Sequence, residues 1–116
     1  IRRADEDGNP ATTADTDWEP LLVTPPHPEY VSGHSGVSAA GAEVLTKLFG
    51  TDRMRFTVSS DTVKEVKRTF DSFSACALEV SRSRVYGGIH YSISGREGLL
   101  LGKRVAQAVI EREKKL

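Results

Sequence analysis

Apolar positions between residues 35 and 49 recur at helical spacing. Val37, Ala40, Gly41, Val44 and Leu48 share one face, and Gly50 stands where such a helix stops. The small residues on that face allow close approach of a neighbour. A second stripe, Val63, Val66, Phe70, Phe73, Ala77 and Val80, alternates spacings of three and four and predicts another amphipathic helix. Its start is marked by Ser59-Ser60-Asp61-Thr62 with Glu65 three residues past Thr62, a capping-box pattern. Residues 51–60 read as a connector, briefly extended at Phe56-Thr57-Val58. Gly87-Gly88 breaks the pattern. A last helix is expected from about Gly95 to Lys115, with Leu101, Val105, Ala108 and Val109 inward. Arg112, Lys114 and Lys115 fall in its final turns, where cations favour the helix dipole.

Residues 1–30 show no such period. All five prolines (Pro10, Pro20, Pro25, Pro26, Pro28) lie there and deny the stretch a regular ladder. Trp18, Leu21, Leu22 and Val23 are the residues expected to anchor it on a helical body. The chain therefore divides into a proline-rich loop segment, 1–30, and a helical portion, 31–116. The expected class is all-α, a bundle of about three main helices behind a long irregular loop.

Composition narrows the function classes. Hydrophobic residues make up 38% and charged residues 28%, a globular balance. Sixteen basic and sixteen acidic residues cancel, so nothing predicts a nucleic-acid partner, although Arg82 and Arg84 form a local basic pair. No run of about 18 apolar residues occurs, so no membrane-spanning helix is expected. Cys76 is alone among Ala75, Ala77 and Leu78, and reads as a small core hydrophobe with no partner for an intrachain disulfide.

Two short segments carry the chemistry. Ser32-Gly33-His34 opens the first helix, where unpaired amides and the dipole attract anions. Gly33 allows an oxyanion to approach the backbone, the Ser32 hydroxyl adds a donor, and His34 is placed to exchange a proton. The plainer reading is an ordinary helix start. The second segment is Ser83-Arg84-Val85-Tyr86-Gly87-Gly88-Ile89-His90. Arg84 near a helix end offers a planar cationic fork, and the glycine pair lets the chain turn so that His90 faces the same point. Alone, Arg84 also reads as a surface residue and His90 as a loop histidine. Together the segments describe a converging site for a tetrahedral oxyanion. A zinc site from His27, His34 and His90 lacks cysteine and close spacing. No Gly-x-Ser-x-Gly elbow surrounds Ser32.

Val31-Ser32-Gly33-His34 and Ser83-Arg84-x5-His90-x3-Ser94 resemble the second and third motifs of the type-2 phosphatidic acid phosphatase and vanadium-dependent haloperoxidase superfamily, Pro-Ser-Gly-His and Ser-Arg-x5-His-x3-Asp. The run Pro25-Pro26-His27-Pro28-Glu29-Tyr30 resembles the soluble haloperoxidase branch. The resemblance covers about Trp18 to Gly102. It implies a portion of a larger haloperoxidase-like bundle and a secreted or periplasmic setting. It also implies vanadate as cofactor, with phosphate as the alternative occupant, and hydrogen peroxide and halide as reactants. His90 would be the vanadate (metal) ligand, His34 the acid–base residue, and Ser32, Gly33 and Arg84 the holders of the oxygens. His27 would be halide-proximal; it falls where algal bromoperoxidases have histidine and fungal chloroperoxidases phenylalanine, which points to bromide, a solvated loop histidine being the alternative.

Three departures bear on that reading. Val31 replaces the motif proline. Ser94 replaces the aspartate that would orient His90, and Glu97, a turn further on, is the nearby carboxylate. The family's first motif, Lys-x6-Arg-Pro, is absent, and the expectation is a carboxy-terminal part of a longer enzyme, with an exposed apolar face and association with the upstream segment or a second copy. The alternatives are an acid phosphatase of the same superfamily, acting on a phosphate ester through a phosphohistidine, and a non-catalytic helical interaction module.

Overall fold

The computed structural model describes residues 1–113. Three helices dominate: α1, Gly33–Phe49; α2, Phe73–Tyr86; and α3, Ser92–Glu113. Two strands, β1 (Phe56–Ser59) and β2 (Lys67–Phe70), form an antiparallel hairpin between α1 and α2. Before α1 the chain is irregular apart from a 3-10 turn at Ala4–Glu6. The class is all-α, as the sequence predicts. Lys114 and Lys115, expected in the last helical turn, lie outside the described residues.

Helix ends follow their local chemistry. The Ser32 hydroxyl accepts from the Ser35 amide to cap α1, which ends at Gly50 with φ of 72°. Ser72 caps α2 through the Ala75 amide, and the Asp52 carboxylate accepts from the Ser74 amide at 2.9 Å. The helix expected from Thr62 does not form before Phe73. The Ser60 hydroxyl instead accepts from the amides of Thr62 and Val63 and closes a turn. The β-branched residues Thr57, Val58 and Thr69 fit a pleated ladder, and the hydroxyls of Thr57 and Thr69 meet at 2.8 Å. The hairpin also delivers Phe56 against Phe70 and Phe73, at centroid distances of 5.7 and 5.6 Å, a cluster that one continuous helix would not assemble.

Helices α1 and α3 meet through small residues rather than large ones. On α3 the buried positions are Ser94, Gly95, Gly98, Gly102 and Ala106; on α1 they are Ser35 and Ala39. A Cβ on Gly98 would stand 2.5 Å from the Ser32 carbonyl oxygen, and one on Gly102 would overlap the carbonyl of Gly36. This close approach corrects the expected inward faces. Val37 and Leu48 on α1 are 77% and 73% exposed, and Leu101, Val105, Ala108 and Val109 on α3 are all exposed. On α1 and α3 these large apolar residues form an outer surface, while the seam uses residues that admit backbone contact. On α2 the expected face holds at Phe73 and Ala77, which are buried, whereas Val63 and Val66 are exposed in the hairpin loop. Cys76 is half-buried, and loss of solvation, with Glu79 adding to it, pushes its thiol upward in pKa.

The proline-rich segment docks on the turn between α2 and α3. Gly88 has φ of 71°, and a Cβ there would lie 2.9 Å from Pro20 and 3.1 Å from the Trp18 ring. Leu22 donates its amide to the Gly87 carbonyl and packs its side chain on that glycine. Trp18 and Leu22 therefore anchor the loop, while Leu21 and Val23 point to solvent.

Candidate functional site

The two motif segments converge where the start of α1 meets the turn from α2 into α3. The Ser32 amide donates to the Ser94 carbonyl at 3.0 Å, which ties the first segment to α3. The amides of Ile89 and His90 both return to the Arg84 carbonyl, at 3.0 and 3.3 Å, so the turn after α2 swings His90 back toward the helix end that carries Arg84.

His90 is the centre of this arrangement. Its side chain is fully buried. Nδ1 lies 2.6 Å from the main-chain oxygen of Glu29. A carbonyl only accepts, so Nδ1 carries the proton, and in the neutral ring Nε2 keeps its lone pair. Among the described residues that Nε2 is buried without a partner, and so is Nε of Arg84. Buried polar atoms are nearly always paired. Two orphans in one region, one an acceptor and one a cationic donor, are what an anionic ligand with a Lewis-acidic centre satisfies together. The residues present therefore fit vanadate, or phosphate as its analogue.

The other expected site residues fall around this point. Gly33 is the first residue of α1 and is exposed, with nothing near its missing Cβ. His27 stacks on His90, ring centroids 5.4 Å apart and planes 15° from parallel, with its own Nδ1 donating to the Pro28 carbonyl at 2.9 Å. His27, Gly33 and His34 line one concavity of about 700 Å³ with Pro28, Tyr30, Val31, Val37 and Ser38. Ser32 is fully buried, and its oxygen already accepts from the Ser35 amide and hydroxyl, which leaves its own O–H as the single group to offer a ligand.

Partial desolvation lowers the His34 pKa below the ordinary histidine value, and the positive charge of Arg84 lowers it further. The ring is thus neutral at neutral pH. Its charged form is disfavoured in the folded state, so this residue contributes stability above the ordinary histidine pKa that is lost as pH falls through the depressed one. Arg84→Gln is expected to move the His34 midpoint upward in a histidine NMR titration. An unchanged midpoint would mean the two side chains do not sense each other.

Sequence reasoning missed Glu29. The expected substitute for the motif aspartate, Glu97, pairs instead with its neighbour Arg96 at 3.2 Å. The carboxylate beside His90 is that of Glu29, with Oε1 3.6 Å from Nδ1. It accepts from the Tyr91 amide at 2.8 Å and from the Ser94 hydroxyl at 2.7 Å. Burial alone would raise the Glu29 pKa; the hydrogen bonds from Ser94 and Tyr91, with the adjacent His90, outweigh it and hold the carboxyl below its usual range. The signal was present in the His27-Pro28-Glu29-Tyr30 run, but a carboxylate 61 residues upstream of the histidine is invisible to a local motif. Among the described residues no three His, Cys, Asp or Glu side chains gather as a metal-ligand cluster.

Comparison with known proteins settles the family. The pattern of the VCPO second helical-bundle domain matches residues 3–116. The chain belongs to the vanadium haloperoxidase superfamily. Vanadium-dependent bromoperoxidases of Corallina pilulifera and Ascophyllum nodosum are 33% and 32% identical to it, each over 78% of this chain. The chain spans only 17% and 18% of their lengths. In solved structures, the first bacterial vanadium-dependent iodoperoxidase superposes with a TM-score of 0.77 at 41% identity, covering 84% of this chain and 24% of that one. A bacterial vanadium-dependent chloroperoxidase superposes at 0.67 over 79% of this chain and 22% of its own, at 18% identity, a likeness of fold alone. Among the described residues no helix is long and apolar enough to cross a membrane.

Proposed function

We propose that the protein to which this helical domain belongs oxidises halide with hydrogen peroxide at a vanadate held by His90. The observation that carries this reading is the pair of buried, unpartnered atoms, Nε2 of His90 and Nε of Arg84. His90 would hold vanadate through the Nε2 lone pair. Arg84, the Gly33 amide at the start of α1 and the Ser32 hydroxyl would hold its oxygens by charge-assisted and neutral hydrogen bonds. When bound, vanadate supplies Lewis-acid activation of peroxide toward nucleophilic attack by halide. His34, neutral at neutral pH and on the rim of the concavity, accepts the proton that peroxide releases and returns it later. His27, stacked on His90, faces the same concavity and is the residue we assign to the halide side.

Bromide and iodide are the halides proposed, because the relatives above 30% identity are named as bromoperoxidases and an iodoperoxidase. The test compares two assays on the full-length protein: bromide and iodide oxidation with vanadate and peroxide, and hydrolysis of a phosphate monoester without peroxide. The expected result is halide oxidation that requires both vanadate and peroxide and is suppressed by phosphate. Ester hydrolysis without halide oxidation would assign the site to the phosphatase side of the superfamily. Absence of both activities would contradict a catalytic role.

A further inference from the structure

Glu29 sits outside both motifs, yet it grips the start of α3 with two different groups. Its main-chain oxygen accepts the Nδ1 proton of His90 at 2.6 Å. Its carboxylate reaches past that bond and accepts from the Tyr91 amide and the Ser94 hydroxyl, at 2.8 and 2.7 Å. Three residues on, the Ser32 amide donates to the Ser94 carbonyl at 3.0 Å. Residues 29–32 and 91–94 are thus laced together on both sides of the buried imidazole.

This lacing has a consequence for the ring. A histidine whose Nδ1 proton is held by a carbonyl is fixed in one tautomer and one orientation. The carbonyl belongs to an irregular, proline-flanked loop, with no helix or strand to hold it in place. The structure supplies the missing constraint through the side chain of the same residue, anchored to the rigid end of α3.

We propose that Glu29 is the positioning residue of His90, replacing the aspartate absent at Ser94 by a divided arrangement in which the carbonyl orients the ring and the carboxylate holds the carbonyl. Ser94 is part of the device: it donates its hydroxyl to the carboxylate that has moved to the other segment. The inference rests on the oxyanion reading for its functional meaning, but its structural content does not require an anion.

The test has two readouts. The ¹⁵N shifts of the His90 ring at mildly alkaline pH report the tautomer without any ligand, and calorimetry reports orthovanadate affinity. In the wild-type protein the Nδ1–H tautomer is expected. Glu29→Ala should produce a mixture of tautomers and weaken orthovanadate binding about 10–100-fold, the range typical for groups that orient a ligand histidine. Ser94→Ala, which leaves Glu29 in place, should move both readouts in the same direction by less. The double variant Glu29→Ala/Ser94→Asp should recover both, since it returns a carboxylate to the motif position. A tautomer unchanged in both Glu29→Ala and Ser94→Ala, with only a lowered melting temperature, would overturn the proposal and leave Glu29 as a cap on α3. Should the tautomer respond as expected while the wild-type protein binds no orthovanadate, the positioning role stands and the oxyanion reading fails.

Discussion

His90→Ala is expected to weaken orthovanadate binding by at least about 100-fold, more than loss of a group that merely orients the ligand. The reason is geometric: within the buried pair of orphaned atoms, Nε2 is the only one with a lone pair to give. A thermal-shift titration checks this in a second way. Saturating ligand at 100 times its dissociation constant stabilises a folded protein by about 2.7 kcal/mol, so the wild-type melting temperature should rise with orthovanadate. The variant should show no such rise. It should also melt lower without ligand, because the part-buried hydrogen bond to the Glu29 carbonyl is lost, at about 0.5–1.5 kcal/mol. His34→Ala provides the contrast. That side chain is exposed, so binding should change little, while halide turnover in the full-length protein should fall about 10²–10⁴-fold if it moves the proton. Equal affinity in wild type and His90→Ala would place the anion elsewhere.

The largest expected effect on stability lies in the glycine seam. Gly102→Ala drives a methyl group into the carbonyl of Gly36, which is backbone and has no rotamer to change. The helices must separate, at about 3 kcal/mol, the upper part of the usual range for overpacking. For a domain of this size that corresponds to a melting temperature lower by about 10–20 °C. Separation also loosens the tie between Ser32 and Ser94, so the anion site should weaken with the fold. Gly41→Ala is the control. It lies within α1 with nothing near its Cβ position, and gains about 0.5–1 kcal/mol from reduced backbone freedom in the unfolded chain. Loss of less than about 0.5 kcal/mol in Gly102→Ala would mean that α1 and α3 do not pack at this seam.

The local placement of the candidate residues was legible because they sit at fixed spacings. Arg84 and His90 straddle a glycine turn, and Ser32-Gly33-His34 opens a helix; both relations are short-range, and the backbone realises them as expected. The packing faces were not legible. Periodicity ranks residues by hydrophobicity, so it pointed Leu48 and Leu101 inward, whereas contact between α1 and α3 at backbone distance selects Gly36, Gly98 and Gly102. The spacing of four between Gly98 and Gly102 was the available signal. The hairpin was missed because Val66, Phe70 and Phe73 satisfy a helical period by coincidence, while the decisive pairing of Phe56 with Phe70 is long-range. Glu29 was missed for the same reason: its partners Tyr91 and Ser94 lie more than 60 residues away.

The central claim is that Nε2 of His90 and Nε of Arg84 face one oxyanion. A crystal structure of the protein grown with orthovanadate tests it most directly. Vanadium bonded to Nε2 of His90, with Arg84 on its oxygens and the Nδ1 contact to Glu29 retained, is the expected result. Vanadate bound away from His90, or an Nε2 turned to a protein partner, would contradict it.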